Sequence, residues 1–226
     1  MYFDSTILLL LPGLILGLWA QSKVKKAYEE YSRVGTQRGM QAQDVVRDLL
    51  YREGASDVTI TAVSGTMTDH FDPGANTLRL SEGVYGSASV SAIGIAAHEA
   101  GHALQKKEGY PLLALRTAAV PVVNFGSRLS WPIFVAGLLF SWEPLMTAGI
   151  VLFGLVVLFS LITLPVEFDA SARANRMLAA SGYFTEQELS GARTVLNAAA
   201  LTYVASFISA LMQFLRLVAI ANRRRR

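Results

Sequence analysis

The sequence of 226 residues contains no cysteine, only three histidines, and few charged residues, which make up 16% of the chain. The absence of cysteine excludes disulfide bonds and thiolate metal ligands, and it fits a functional site on the reducing side of a membrane. The sequence has no basic stripe interleaved with aromatic residues, so we expect no nucleic-acid partner. Apolar residues are abundant instead, because 52% of the chain is hydrophobic, more than is usual for soluble proteins.

Long apolar regions account for this excess. They lie at residues 6–20, 131–166 and 195–220. About 20 apolar residues cross a bilayer as a helix, so the second region is long enough for two crossings if it folds back near residues 141–144. Glu143, at this expected turn, is its only charged residue. The sequence therefore predicts a mainly α-helical, polytopic membrane protein.

Charges beside the apolar regions predict the orientation of the chain. Residues 1–4 lack the basic start of a cleavable signal peptide, whereas three of residues 23–26 are lysines. Because positive charge stays in the cytoplasm, we expect the amino terminus outside and the chain after the first region inside. The four arginines at 223–226 are typical of an anchor on anionic lipid. Four full crossings would place these arginines outside, so whether the last region crosses stays open.

The segment HEAGH, residues 98–102, has the spacing of two metal-binding histidines on a helix. Residues i and i+4 lie above one another on a helix, so His98 and His102 can share one cation. Glu99 projects roughly 100° away, where it can act on water as general base without being a ligand. The alternative is a helix with two unrelated histidines, but the small apolar residues at 88–97 indicate close packing on all sides. The pattern predicts a zinc hydrolase.

Two histidines leave a catalytic zinc short of one protein ligand. The extension HExxHxxGxxH is absent, because Gln105 and Glu108 follow the motif. Acidic residues occur where the second apolar region ends, and we predict Glu167 as the third ligand, with Asp169 as the alternative. On a helix these two project about 200° apart, so at most one faces the metal. The competing interpretation is that both only stabilise the first turn of the following helix.

The membrane restricts where such a site can form. For Glu167 to meet the histidines, the chain between them must cross the bilayer an even number of times. A hairpin of residues 131–166 gives two crossings. We therefore expect a multi-pass protein of the cytoplasmic membrane, with its site on the cytoplasmic side.

Two further side chains are candidates for this site. His70 is the remaining histidine, and we predict it as a catalytic residue that orients the oxyanion or the substrate. The alternative for His70 is a turn residue without a catalytic role. Arg173 is placed to stabilise negative charge near the metal, although a structural salt bridge is the commoner role for such an arginine.

The periodicity of the chain predicts several short elements around the motif. Expected helices lie at 40–52, 89–106 and 167–180, and a further helix opens at a capping box formed by Thr185 and Glu188. Expected strands lie at 57–63 and 77–80, the second after a turn at 72–76. Such a small hairpin or edge sheet beside the zinc helix offers an edge to an extended peptide.

These elements suggest four segments. They are an anchor at 1–22, a zincin-like core at 23–110, a membrane-associated helix with a transmembrane hairpin at 111–166, and a third-ligand helix with the last apolar helix and basic tail at 167–226. Residues 112–128 are apolar but interrupted, so a surface-lying, a re-entrant and a core helix remain open for them.

Three blocks of sequence occur together in this chain. They are DHFDP at 69–73 with LRLS at 78–81, IAAHEAGHALQ at 95–105, and PVEFDAS at 165–171. Over nearly its whole length, the chain resembles the YugP-like neutral zinc metallopeptidases of bacterial membranes. The resemblance implies a membrane zinc protease of the gluzincin type, with His98, His102 and Glu167 as ligands and Glu99 as catalyst.

A more distant similarity is to the CAAX prenyl proteases and the HtpX group. These families also join HExxH to a later glutamate between membrane spans. They place an aspartate four residues after that glutamate, whereas this chain has Ser171 there and Asp169 at two. The orienting role of that aspartate therefore does not transfer directly.

Together these patterns predict a zinc endopeptidase in which the cation polarises a peptide carbonyl and Glu99 transfers the proton of water. Its expected partners are a peptide or membrane-protein substrate and the lipid bilayer. One alternative is a catalytically inactive, metal-binding scaffold or chaperone-like protein, although degeneration usually removes the glutamate. Another is a transporter or channel, which would need ionisable groups within the apolar regions, where they are scarce.

Overall fold

The computed structural model describes residues 5–224 and confirms the mainly α-helical class. A 3-10 turn at Ser5–Leu10 leads into the first helix. The helices are α1 (Leu11–Tyr31), α2 (Ala42–Arg52), α3 (Glu82–Tyr85), α4 (Val90–Lys107), α5 (Pro111–Leu139), α6 (Glu143–Ser181) and α7 (Glu186–Arg224). The strands are β1 (Thr59–Val63), β2 (His70–Asp72) and β3 (Thr77–Ser81). Residues 1–4 and 225–226, used above to predict orientation, lie outside the described residues.

Four helices are long and apolar enough to cross a membrane, judged by length and composition. The candidate spans are Thr6–Tyr31, Pro111–Leu139, Glu143–Ser181 and Glu186–Arg223. Helix α6 has 39 residues, which at 1.5 Å each is about 58 Å, whereas the hydrocarbon core of a bilayer is about 30 Å thick. Its length therefore exceeds what one crossing requires.

The predicted hairpin is present, but its arms are longer than predicted. Its turn lies between Leu139 and Glu143, as expected, and the undecided segment 112–128 is part of α5. The nine residues from Trp131 to Leu139 are too few to cross a bilayer, so the arm needs the preceding segment. The predicted separate helix at 167–180 is wrong, because α6 continues through Pro165 without a break.

Contacts group the chain into two units, and the first is made of apolar helices. It comprises the described part of Met1–Gln21, Leu115–Pro165, and the described part of Thr202–Arg226. Its buried cluster consists of Phe134, Met146, Leu217 and Ala221. Close helix packing requires a small residue at Gly149, where a Cβ atom would lie 2.8 Å from the backbone nitrogen of Phe134.

The second unit, Ser22–Ala114 with Val166–Leu201, carries the sheet and the HEAGH helix. The strand order is β1-β3-β2, in which β1 pairs with β3 in parallel and β2 pairs with β3 antiparallel. The hairpin is therefore β2–β3, and β2 was missed because three residues are too short to show alternation. Buried residues of α2 and α4 form the core together with β3. Those of α2 are Ala42, Val45, Val46, Leu49 and Leu50.

Candidate metal centre

Helix α4 holds both histidines of the motif in a closely packed position. Ser89 caps the helix, because its side-chain oxygen accepts a hydrogen bond from the backbone of Ala92 at 3.3 Å. Small residues let neighbouring elements approach the helix on its buried sides, and Ala96 and Ala100 are fully buried. The imidazole rings of His98 and His102 lie on one face with their centroids 4.8 Å apart. The predicted spacing is confirmed.

Gly101 lets α6 approach this face of α4. A Cβ atom built at Gly101 would overlap the carbonyl oxygen of Ala170 and would lie 3.2 Å from its Cα atom. Only a glycine therefore allows the two backbones to lie this close. Ala170 is three residues after Glu167, so the same contact brings the Glu167 carboxylate to the histidines.

His98, His102 and Glu167 bring three donor atoms together within 4.8 Å of one another. Oε2 of Glu167 lies 3.2 Å from Nε2 of His98 and 3.6 Å from Nε2 of His102. Tetrahedral zinc ligands at 2.0–2.1 Å from the ion lie roughly 3.4 Å from each other, so these distances suit one zinc ion. Two imidazoles with one carboxylate form a three-ligand set that leaves a position for water.

The Glu167 carboxylate is almost entirely buried, with 2% of its side chain exposed. Burial alone would lower the pKa of His102, but the hydrogen bond to Glu167 and the charges of Glu99 and Glu167 outweigh it. The pKa of His102 is therefore raised above its ordinary value. A carboxylate this deep between two imidazoles is suited to a cation, because an isolated buried charge is costly.

Glu99 lies on the adjacent side of α4, as its position in the motif predicts. Its Oε2 accepts a hydrogen bond of 2.9 Å from the backbone N–H of Phe71 on β2. This leaves Oε1 for a second partner. The carboxylate that sequence reasoning assigned to proton transfer is thus held between α4 and the edge of the sheet.

The sequence model of the family described as "Putative neutral zinc metallopeptidase" matches residues 6–222. The chain belongs to this family. A relative, "Putative membrane protease YugP" of Bacillus subtilis (strain 168), is 45% identical over 214 residues, which are 95% of this chain and 95% of the relative. No solved structure matches the chain.

In this family member, the DHFDP block builds the strand that contacts Glu99. Asp69 accepts hydrogen bonds from the backbone N–H of Ser81 at 2.8 Å and from its hydroxyl. Asp72 accepts from the backbone of Ala75 and Gly74, which closes the predicted turn. These bonds, with the charge of Arg79, lower the pKa of Asp72. The two aspartates therefore fix both ends of β2.

Each imidazole of the candidate metal centre has a neutral partner at its Nδ1 atom. Nδ1 of His98 lies 3.1 Å from the hydroxyl oxygen of Ser171, and Nδ1 of His102 lies 2.9 Å from Oε1 of Gln105. Sequence reasoning missed Gln105, although its position three residues after His102 was a usable signal. Ser171, four residues after Glu167, is the partner of His98.

Asp169 and Arg173 lie beside the site rather than in the donor group. Asp169 accepts hydrogen bonds from Gln105 at 2.8 Å and from Arg173 at 2.5 Å. Arg173 also pairs with Glu108 at 2.6 Å. The alternative of Asp169 as ligand is therefore not supported by the geometry, and Arg173 forms the structural salt bridge considered above.

His70 lies outside the group of three donors. Its side chain is exposed on β2, and its Nδ1 lies 2.8 Å from the carbonyl oxygen of Thr68. It precedes Phe71, whose backbone binds Glu99, so it stands on the strand next to the site. Its catalytic role stays a prediction.

Proposed function

We propose that this protein is a membrane zinc endopeptidase of the gluzincin type. The observation that carries the proposal is the convergence of two imidazoles from one helical turn with the buried carboxylate of Glu167. His98, His102 and Glu167 would hold the ion. The membership of the chain in a family described as zinc metallopeptidases supports the same assignment.

A bound zinc ion supplies Lewis acidity, which polarises a peptide carbonyl and lowers the pKa of water. Glu99 takes the proton of the attacking water and later delivers it to the leaving amine. The Phe71 N–H fixes one oxygen of this carboxylate, so that the other faces the proton it accepts. The chain thereby keeps its base in a single orientation.

We further propose that the peptide substrate lies extended along β2. This strand is at the edge of the sheet, and Phe71 stands opposite Leu78 with its N–H directed to Glu99. The backbone of Phe71 therefore points away from β3, toward the outer edge. The Phe71 N–H is bound by Glu99, so the Phe71 carbonyl oxygen, on the same outer edge, would accept a hydrogen bond from the peptide backbone. Such a backbone contact would accept many sequences and align a scissile bond beside Glu99.

The proposed location is the cytoplasmic membrane, with the metal centre on the cytoplasmic side. The four apolar helices support a membrane location, as does the relative described as a "Putative membrane protease". The chain leaves the unit of the site at Leu115 and returns at Val166, which suits two crossings between the histidines and Glu167. The lysines after the first apolar region support the cytoplasmic side.

The direct test compares the wild-type protein with Glu99→Gln in detergent. We expect one equivalent of zinc in both, and peptide cleavage reduced by about 10²- to 10⁴-fold in the variant, because general base catalysis is lost. Glu82→Gln, an exposed glutamate on α3, is the matched control and should cleave normally.

Two results would contradict the proposal. Undiminished cleavage by zinc-free protein would show that the metal is not required. Zinc-loaded wild type that cleaves no peptide in a broad mixture would instead favour the metal-binding scaffold.

A further inference from the structure

Gln105 is a fully buried polar side chain one turn after the second histidine, with 0% of its surface exposed. All of its polar atoms have partners. Its Nε2 donates to the backbone oxygen of Val166 and to Oδ2 of Asp169, each at 2.8 Å. Its Oε1 faces Nδ1 of His102 at 2.9 Å. A buried amide with complete hydrogen bonding specifies one geometry.

The two acceptors determine which way the Gln105 amide points. A carbonyl oxygen and a carboxylate can be contacted only by the NH₂ group, so Oε1 must face His102. Since Oε1 accepts a hydrogen bond, Nδ1 of His102 must carry the proton. The lone pair of the neutral ring then lies on Nε2, the nitrogen that faces Glu167.

The ion pair between Asp169 and Arg173 holds the Gln105 amide in this orientation. Asp169 is bound by Arg173, whose side chain is 11% exposed and which in turn pairs with Glu108 after the end of α4. The connection thus starts on α4 at Gln105, passes through Asp169 and Arg173 on α6, and ends at Glu108, the residue that follows α4. It joins the helix of the two histidines to the helix of the third ligand.

We propose that Gln105 is a positioning residue, oriented by Asp169, that fixes His102 with Nε2 directed to the metal. The inference rests on the proposed function in assuming that the site holds zinc. It concerns the affinity of that site, which is measured without any substrate. Loss of a partner that orients a metal-binding histidine typically lowers metal affinity by about 10- to 100-fold.

The first test is Gln105→Met, which keeps the volume of the side chain and removes its hydrogen bonds. Zinc affinity, measured by competition with a chelator, should fall by about 10- to 100-fold. The visible spectrum of the Co²⁺-substituted variant should also change, because the ligand field depends on the ring orientation of His102. The matched control is Gln43→Met on α2, which removes an amide that donates a hydrogen bond to the side chain of Gln41. This variant should bind zinc normally.

The second test exchanges the amide and the carboxylate between positions 105 and 169. Gln105→Glu should weaken zinc binding, because a carboxylate would face the oxygens of Val166 and Asp169. Adding Asp169→Asn should strengthen binding in this background, since the asparagine amide can donate to Glu at position 105. In the wild-type background, Asp169→Asn should weaken binding instead. If Asp169→Asn acted only through a general loss of packing, it would weaken zinc binding in both backgrounds.

The inference and the proposed function fail in different ways. If the Gln105→Met variant binds zinc as tightly as wild type and its Co²⁺ spectrum is unchanged, the positioning role of Gln105 is overturned. The proposed peptidase function would not be affected by that result. The positioning role would also be overturned if Asp169→Asn changed zinc affinity in the same direction in the wild-type and Gln105→Glu backgrounds. Zinc-loaded wild type without peptidase activity would overturn the proposed function alone.

Discussion

Because the pKa of His102 is raised, zinc binding at the proposed site should depend on pH. In the metal-free protein a proton competes with the ion for this imidazole, and the raised pKa extends the competition above the ordinary histidine value of about 6.5. Below the pKa, each unit of pH should reduce the apparent zinc affinity about tenfold for each ligand that is protonated.

Chelator competition between pH 8 and pH 6 checks this expectation, with the affinity of the chelator corrected at each pH. Affinity should decline from a pH above the ordinary histidine value, and zinc addition to weakly buffered protein should release protons. An affinity that stays constant over this range would contradict the prediction.

The imidazoles and carboxylates of the candidate site could be predicted from sequence more directly than its neutral side chains. His98, Glu99 and His102 follow from a fixed helical spacing, and Glu167 follows from its place at the end of an apolar region. Gln105 and Ser171 have ordinary neutral side chains, and their roles depend on contacts between α4 and α6. The contact of the Phe71 backbone N–H with Glu99 cannot be predicted from sequence, because almost every residue type has a backbone N–H.

At the scale of elements, the contact between α4 and α6 depends on one glycine. Gly101→Ala should push the helices apart, because the added methyl group would overlap the backbone of Ala170. We expect a loss of about 1–3 kcal/mol in the free energy of unfolding, as in other overpacked sites. Zinc affinity should fall as well, since Glu167 is displaced with α6.

Gly94→Ala is the matched control on the same helix. Its added Cβ would lie 3.5 Å from Ala192, an ordinary contact distance, so stability should be unchanged or higher by up to about 1 kcal/mol. Thermal unfolding and chelator competition measure both variants. Equal behaviour of the two alanines would show that the close approach at Gly101 is unimportant.

Element boundaries were predicted best where side chains near a helix end form hydrogen bonds that cap the helix. The capping box at Thr185 and Glu188 is present with hydrogen bonds of 2.7 and 3.3 Å. The boundary expected near Val166, at the end of an apolar region, was wrong, because the backbone of an apolar segment is best satisfied by continuing the helix. Pro165 therefore lies inside α6 rather than at its end.

At the scale of the whole molecule, the natural absence of cysteine allows topology to be measured with single introduced thiols. Ser141→Cys, in the turn between α5 and α6, should react with a membrane-impermeant thiol reagent added to intact cells. Ser32→Cys, just after α1, should react only after permeabilisation. Because α7 is also long enough to cross, a cysteine appended after Arg226 should react from outside.

The unmodified protein, which has no thiol, is the control for non-specific labelling. Labelling of Ser32→Cys in intact cells would place the metal centre on the outer side and contradict the predicted orientation. Protection of the appended cysteine would show that the last apolar helix does not cross.

The residues proposed as metal ligands lie far apart in the sequence, since His98 and Glu167 are 69 residues apart and an apolar hairpin separates them. A ribosome must therefore complete both arms of that hairpin before the last ligand leaves its exit tunnel. A nascent chain would carry the HEAGH helix but would lack the group that closes the site. In the proposed peptidase, activity would begin only after synthesis of the hairpin.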